Sequence, residues 1–137
     1  MNWFIALALY LFYLLLHAEE DNELRKKGLV DHRIHWMMRA LVALIVSLGV
    51  YPPNAHNYLL AATFLIMMVP LTWVFFDIMI NLRMDKHPFK YMGTSETDNW
   101  FRKKFPENPV RMMNIIKHST FAATIIIHLL TLRYIGK

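Results

Sequence analysis

The sequence contains no cysteine, which excludes disulfides, iron–sulfur clusters and thiolate metal sites and leaves the redox compartment unreadable. Glycine is scarce, four in 137 residues, and no GxxxG spacing occurs. Neither a glycine-rich phosphate loop nor glycine-driven helix pairing therefore has support. Charge is thin as well: Asp, Glu, Lys and Arg make up 18% of the chain, against about 25% in average soluble domains. There are no internal repeats or low-complexity tracts, no pattern for a hydrolase triad, and no second domain to carry a separate activity.

Apolar residues fill the gap. They make up 56% of the chain, with 14% aromatics, ten methionines and a mean hydropathy of +0.29, and that excess surface has to face lipid. From Tyr58 to Phe76, nineteen consecutive residues carry no charge. About 20 helical residues at 1.5 Å each match a hydrocarbon core of roughly 30 Å, so this is a membrane segment. Four spans are expected, at about residues 2–18, 35–52, 58–82 and 112–133. The first lacks the basic n-region and small-x-small cleavage site of a signal peptide and is read as a retained span. The polar connector 18–34 nearly cancels in charge, and Gly28 marks a break in any helix that extends into it. Ala43 and Ser47 give the second span a small-xxx-small face, Pro52 and Pro53 end it, and Pro70 predicts a kink midway along the third.

Between the third and fourth spans lies a long basic loop. Ser95 and Asp98 fit a capping box, with Asp in place of the usual Glu, so a short helix is expected over about 95–105. Its Trp100, Phe101 and Phe105 would lie against Arg102, Lys103 and Lys104, an amphipathic helix on an anionic membrane surface. Gly93-Thr94-Ser95 ahead of it reads as a turn and cap rather than a phosphate cradle. The first and third connectors with their adjoining helix ends hold thirteen of the fifteen Lys and Arg residues, whereas the second connector holds none. The positive-inside rule puts those connectors in the cytoplasm and both termini outside. The net charge of +5 thus follows from membrane orientation, and lipid head groups rather than nucleic acid are the expected partner of the basic loop.

In an all-α four-helix membrane bundle of this topology, ionisable residues from every span fall at the cytoplasmic mouth. His17 and Glu20 are spaced i,i+3, as are His32 and His35, so each pair shares a helical face, and Asp77 and His118 arrive from the other two spans. Asp77 lies roughly 8–9 Å inside from Arg83, and His118 roughly 9 Å inside from Met112. Bundles build carboxylate-bridged metal sites from such residues, so a divalent metal (Zn, Fe or Mn) is one reading, with a bis-histidine haem from His35 and His118 or His17 as a lesser one. Arg39, Asn81 and Lys117 are the polar support, Arg39 orienting a carboxylate or a substrate anion. The plainer reading makes Asp77 a structural ion pair with Arg39 or Lys117, because a lone carboxylate in hydrocarbon costs about 2.5–3.5 kcal/mol. His128, deeper in the far half, is expected to bond a neighbouring carbonyl or hydroxyl, and His56 to be solvated.

The pattern F-D-x-x-x-N-L-R from Phe76 to Arg83, followed by Y-x-G-T-S-x-x-D from Tyr91 to Asp98, resembles small multi-span membrane proteins of bacteria and their phages. The resemblance covers roughly residues 75–100, implies no activity, and marks Asp77, Asn81, Gly93, Thr94, Ser95 and Asp98 for testing. The chain is expected in a bacterial inner membrane, as a homo-oligomer or within a larger membrane complex. A polar site acting on a lipid or lipid-soluble ligand, a non-enzymatic subunit, and an oligomeric ion or proton channel are the three functional readings.

Overall fold

In a computed structural model the chain is all-helical: α1 (Trp3–Lys26), α2 (His32–Val50), α3 (Asn57–Arg83), α4 (Glu96–Lys104) and α5 (Pro109–Ile135). Residues 3–29, 32–52, 54, 57–93 and 95–135 are described, with His32 by its backbone alone. Asp31, His56 and Thr94 lie outside them, as does the side chain of His32. Four helices are long and apolar enough to cross a membrane: α1, α2 over Arg33–Val50, α3 and α5.

The most apolar helix is the most enclosed. Of its apolar window, α3 buries 56%, against 28% for α1 and for α2 and 17% for α5, which makes α3 the axis of the molecule. The helices α1, α2 and α5 each pack on α3, α1 and α2 also touch each other, and α4 rests on α5. The backbones of α5 and of the α1–α2 pair do not approach one another among the described residues, so the arrangement is two flanks on one central rod. Tyr10, Leu14, Phe64 and Met68 are sealed in its core, whereas Phe4, Ile45 and Leu130 are about 60% exposed.

The helix α1 runs well past the end of its apolar segment. Its buried stripe, Ala6, Tyr10, Leu14, His17, Ala18 and Asp21, keeps the i,i+3/i+4 rhythm through the change in composition. The added turns are supported by Arg25 on Asp21 at 2.6 Å and Lys26 on Glu23 at 2.6 Å, one helical turn apart in each case. The helix stops at Gly28, whose φ of +67° allows the Leu29 N–H to reach the Leu24 carbonyl and its own N–H to reach that of Arg25, a Schellman cap. The same pair of bonds ends α3, with Asp85 at φ +53° in the glycine position.

The helix α4 is capped as its spacing implies: the Ser95 hydroxyl accepts from the Asp98 N–H, and the Asp98 carboxylate accepts from the Ser95 N–H. Its aromatic face, however, meets protein. Phe101 is 3% exposed among Met92, Met113 and Trp73, with Phe105 packed beside it, and Arg102 donates to the carbonyls of Met92 and Gly93. Trp100, Lys103 and Lys104 remain exposed, so the surface-facing set is these three and not the full run from Trp100 to Phe105. An amphipathic pattern records that one face is apolar and leaves open what covers it.

Candidate functional site

The C-terminal ends of α1 and α3 and the N-terminal ends of α2 and α5 meet at one end of the molecule, the end rich in Lys and Arg. The bond between Glu19 and Arg83, 2.7 Å, ties α1 to α3 there. The sequence-expected polar residues separate into two groups on that rim.

On the α1–α2 flank, His17 and His35 stack with ring centroids 4.8 Å apart, and His17 Nδ1 donates to Glu20 at 3.3 Å. Between the two helices sits a residue that pattern reading passed over. Asp21 has no exposed surface, although its neighbours in sequence are acids of a solvated connector. Its carboxylate takes Arg25 at 2.6 Å, lies 3.0 Å from His35 Nδ1, and is 4.0 Å from the Arg39 guanidinium. Continuing the buried stripe of α1 at helical period would have found it.

On the α3–α5 flank, Lys117 donates to Asp77 and lies 4.7 Å from the centroid of the Trp73 ring. Of the two partners anticipated for Asp77, the structure selects Lys117. Asn81 donates to the Pro88 carbonyl at 3.2 Å and so braces the loop that follows α3. His118 shares a narrow crevice with Asp77, yet it is exposed and bonds the Asn114 carbonyl of its own helix at 2.7 Å. The metal set foreseen from sequence is thereby divided: His17, Glu20 and His35 gather on one flank, Asp77 and His118 on the other. Among the described residues no three His, Asp or Glu side chains converge to hold a metal ion.

A cavity of about 560 Å³ joins the two flanks. Arg25, Trp36 and Arg39 form one wall, Trp73, Phe76, Asp77 and Asn81 the α3 wall, and Tyr91, Met92, Gly93, Ser95, Thr97 and Asp98 the roof. Gly93 is needed in that roof, since a Cβ there would meet Asp98 Oδ2 at 2.9 Å. The lining alternates aromatic and methionine surface with charged groups.

Hydrogen bonding singles out the same region. Three buried side-chain polar atoms lack any partner among the described residues, Tyr13 Oη, His17 Nε2 and Arg39 Nε, and two more, Asp21 Oδ1 and His35 Nδ1, face each other at 3.0 Å without hydrogen-bond geometry. All five lie on α1 or α2. Buried polar groups are normally paired, so a cluster of orphans marks strain or a missing partner. Arg39 is the extreme case, 4% exposed, with its guanidinium 3.4 Å over the Phe76 ring and, among the described residues, no carboxylate nearer than Asp21 at 4.0 Å.

The far end holds a different polar cluster. Tyr51 donates to His128 Nε2 at 3.3 Å, His128 Nδ1–H donates to the Thr63 hydroxyl at 3.0 Å, and Thr63 donates to the Leu60 carbonyl at 3.2 Å. Because Thr63 spends its proton on Leu60, it accepts from the His128 Nδ1–H. Halfway along, Tyr10 donates to the Thr72 hydroxyl at 2.6 Å, which donates to the Met68 carbonyl.

Comparison with protein-family models, curated proteins and solved structures finds no match to this chain.

Proposed function

We propose that the chain is a membrane protein that holds an amphiphilic ligand, a lipid or a lipid-soluble molecule, in the cavity at its basic end. The observation that carries this reading is the cavity itself. It has the size of a small-molecule pocket, it lies at the charged ends of the long apolar helices, and its walls offer both aromatic surface and charge. Trp36, Trp73, Phe76 and Met84 suit an apolar tail, and Arg39, Asp77 and Asn81 suit a polar head. The distribution of bases supports a cytoplasmic position for this end and an inner membrane for the protein.

Native mass spectrometry of the full chain released from detergent tests the reading. One amphiphile per chain is expected to remain bound. Thr97→Trp, which places a large ring on the cavity wall, should remove the adduct, whereas Glu96→Trp, one residue away and off the wall, should keep it. A parent chain that carries no amphiphile, even when supplied with membrane lipid extract, overturns the proposal.

A further inference from the structure

Resting on that reading, we infer that the ligand carries an anionic phosphate head, and that Arg39, assisted by Arg25, is the group that recognises it. Each acid on the cavity wall already has its own partner. Asp77 is held by Lys117, and Asp98 is held by the Ser95 N–H and hydroxyl at 3.0 and 2.7 Å. Asp21, just behind the wall, is committed to Arg25 at 2.6 Å and lies against His35. Among the described residues Arg39 is the cation on this wall with no hydrogen-bonded acid. It lies 4.0 Å from Asp21, too far for a hydrogen bond, and its Nε is buried with none.

A guanidinium that is 4% exposed cannot be left without an acceptor at low cost, and stacking on Phe76 satisfies its face but none of its N–H groups. Its planar fork matches the paired oxygens of a phosphate. Arg25 lines the same cavity with about a third of its side chain exposed, so a second guanidinium can close on the anion from the water side. A cation is disfavoured in the same place, because Arg25 and Arg39 both flank Asp21, the only fully buried acid among the described residues of this flank. Trp36 and Trp73 on the wall then cover the first part of an acyl chain.

The experiment uses the full chain with Trp73 as its sole tryptophan (Trp3→Phe, Trp36→Phe, Trp100→Phe) in phosphatidylcholine vesicles. Brominated-chain phosphatidylglycerol and brominated-chain phosphatidylcholine are titrated as quenchers of its emission. The anionic lipid should reach half-quenching at about a tenfold lower mole fraction, the ratio that one charge-assisted hydrogen bond supplies. Arg39→Gln should erase the difference, Arg39→Lys should retain part of it, and Lys103→Gln with Lys104→Gln should leave it intact. Reversal by millimolar inorganic phosphate would support anion recognition at Arg39 and assign the source to free phosphate; insensitivity assigns it to the lipid head. Equal quenching by the two lipids overturns the head-group inference and leaves the amphiphile reading standing. A preference that disappears with Lys103 and Lys104 but survives Arg39→Gln overturns it in favour of plain surface attraction. Quenching of Trp73 by neither lipid overturns both readings. The parent comparison needs no substitution at Arg39, so a poorly folding Arg39 variant does not rescue the inference.

Discussion

Around His128 each described polar side-chain atom has a partner, whereas the buried atoms left without one among the described residues, Tyr13 Oη, His17 Nε2 and Arg39 Nε, all lie on the flank that Asp21 organises. The two ends share the problem of placing polar groups inside a chain with four apolar spans. At the far end the solution is closed: Tyr51, His128 and Thr63 form a line of donors and acceptors that ends on a backbone carbonyl, with the Phe64 ring 5.3 Å from the imidazole. At the basic end the solution is open, with more cationic donors than acceptors and a cavity beside them. A satisfied cluster specifies how helices pack, whereas unpaired donors beside a cavity suit recognition of a further polar group. That contrast is why the proposed site lies at one end only.

The contrast is broken most directly at Asp21. Asp21→Ala leaves Arg39, His35 and Arg25 without their shared carboxylate, and the loss expected for one member of a buried charge network is about 3–5 kcal/mol. Thermal denaturation in detergent should show a collapse of stability, with Asp21→Asn intermediate because the amide still accepts. A stability change under about 1 kcal/mol would mean that the orphaned cations are already compensated by water. Next in size is Phe101→Ala, expected to cost about 3 kcal/mol if its ring is protein core, as its 3% exposure implies. A ring that lay in lipid would lose far less, so this substitution tests whether α4 closes the cavity or floats above it.

Lys117→Met sharpens the comparison between the two flanks of the basic end. Asp77 keeps about 36% of its side chain exposed, so removing its partner should cost less than removing Asp21, about 1–3 kcal/mol. Adding Asp77→Asn to Lys117→Met should restore most of the loss, because the uncompensated charge is then gone. Failure of the double variant to recover would mean that Lys117 works through its contact with Trp73 rather than through the ion pair.

The four long helices, the cap of α4 and a pairing of Asp77 with Lys117 were legible from spacing and hydropathy, as was a hydroxyl partner for His128. Each follows from one helix or from one strong local constraint. Asp21 was not, because it sits among Glu19, Glu20 and Glu23 in a stretch whose charges nearly cancel, and hydropathy registers only that the apolar run has ended. The helix persists on i,i+4 pairs, and the register set by Tyr10 and Leu14 carries the carboxylate inward. The division of the expected ligand set is a three-dimensional fact of another kind. That His17 meets His35 while His118 faces away depends on α5 packing against α3 and not against α1 or α2, and no single-helix pattern encodes that choice. Phe101 failed for a similar reason, since lipid and protein select the same residue types.

The smallest expected effect belongs to the closed end and decides whether it is as inert as its geometry implies. Tyr51→Phe removes one hydroxyl from His128 Nε2 and leaves the Thr63 bond, the Phe64 contact and the ring volume in place. One neutral hydrogen bond is worth about 0.5–1.5 kcal/mol, and the lower half of that range is expected, because the 3.3 Å separation is long. Thermal denaturation measures that loss, and Trp73 quenching by brominated lipid should be unchanged, since nothing at this end touches the cavity wall. If Tyr51→Phe shifts lipid quenching as well, the two ends communicate along α3, and the far cluster has to be counted as part of the site.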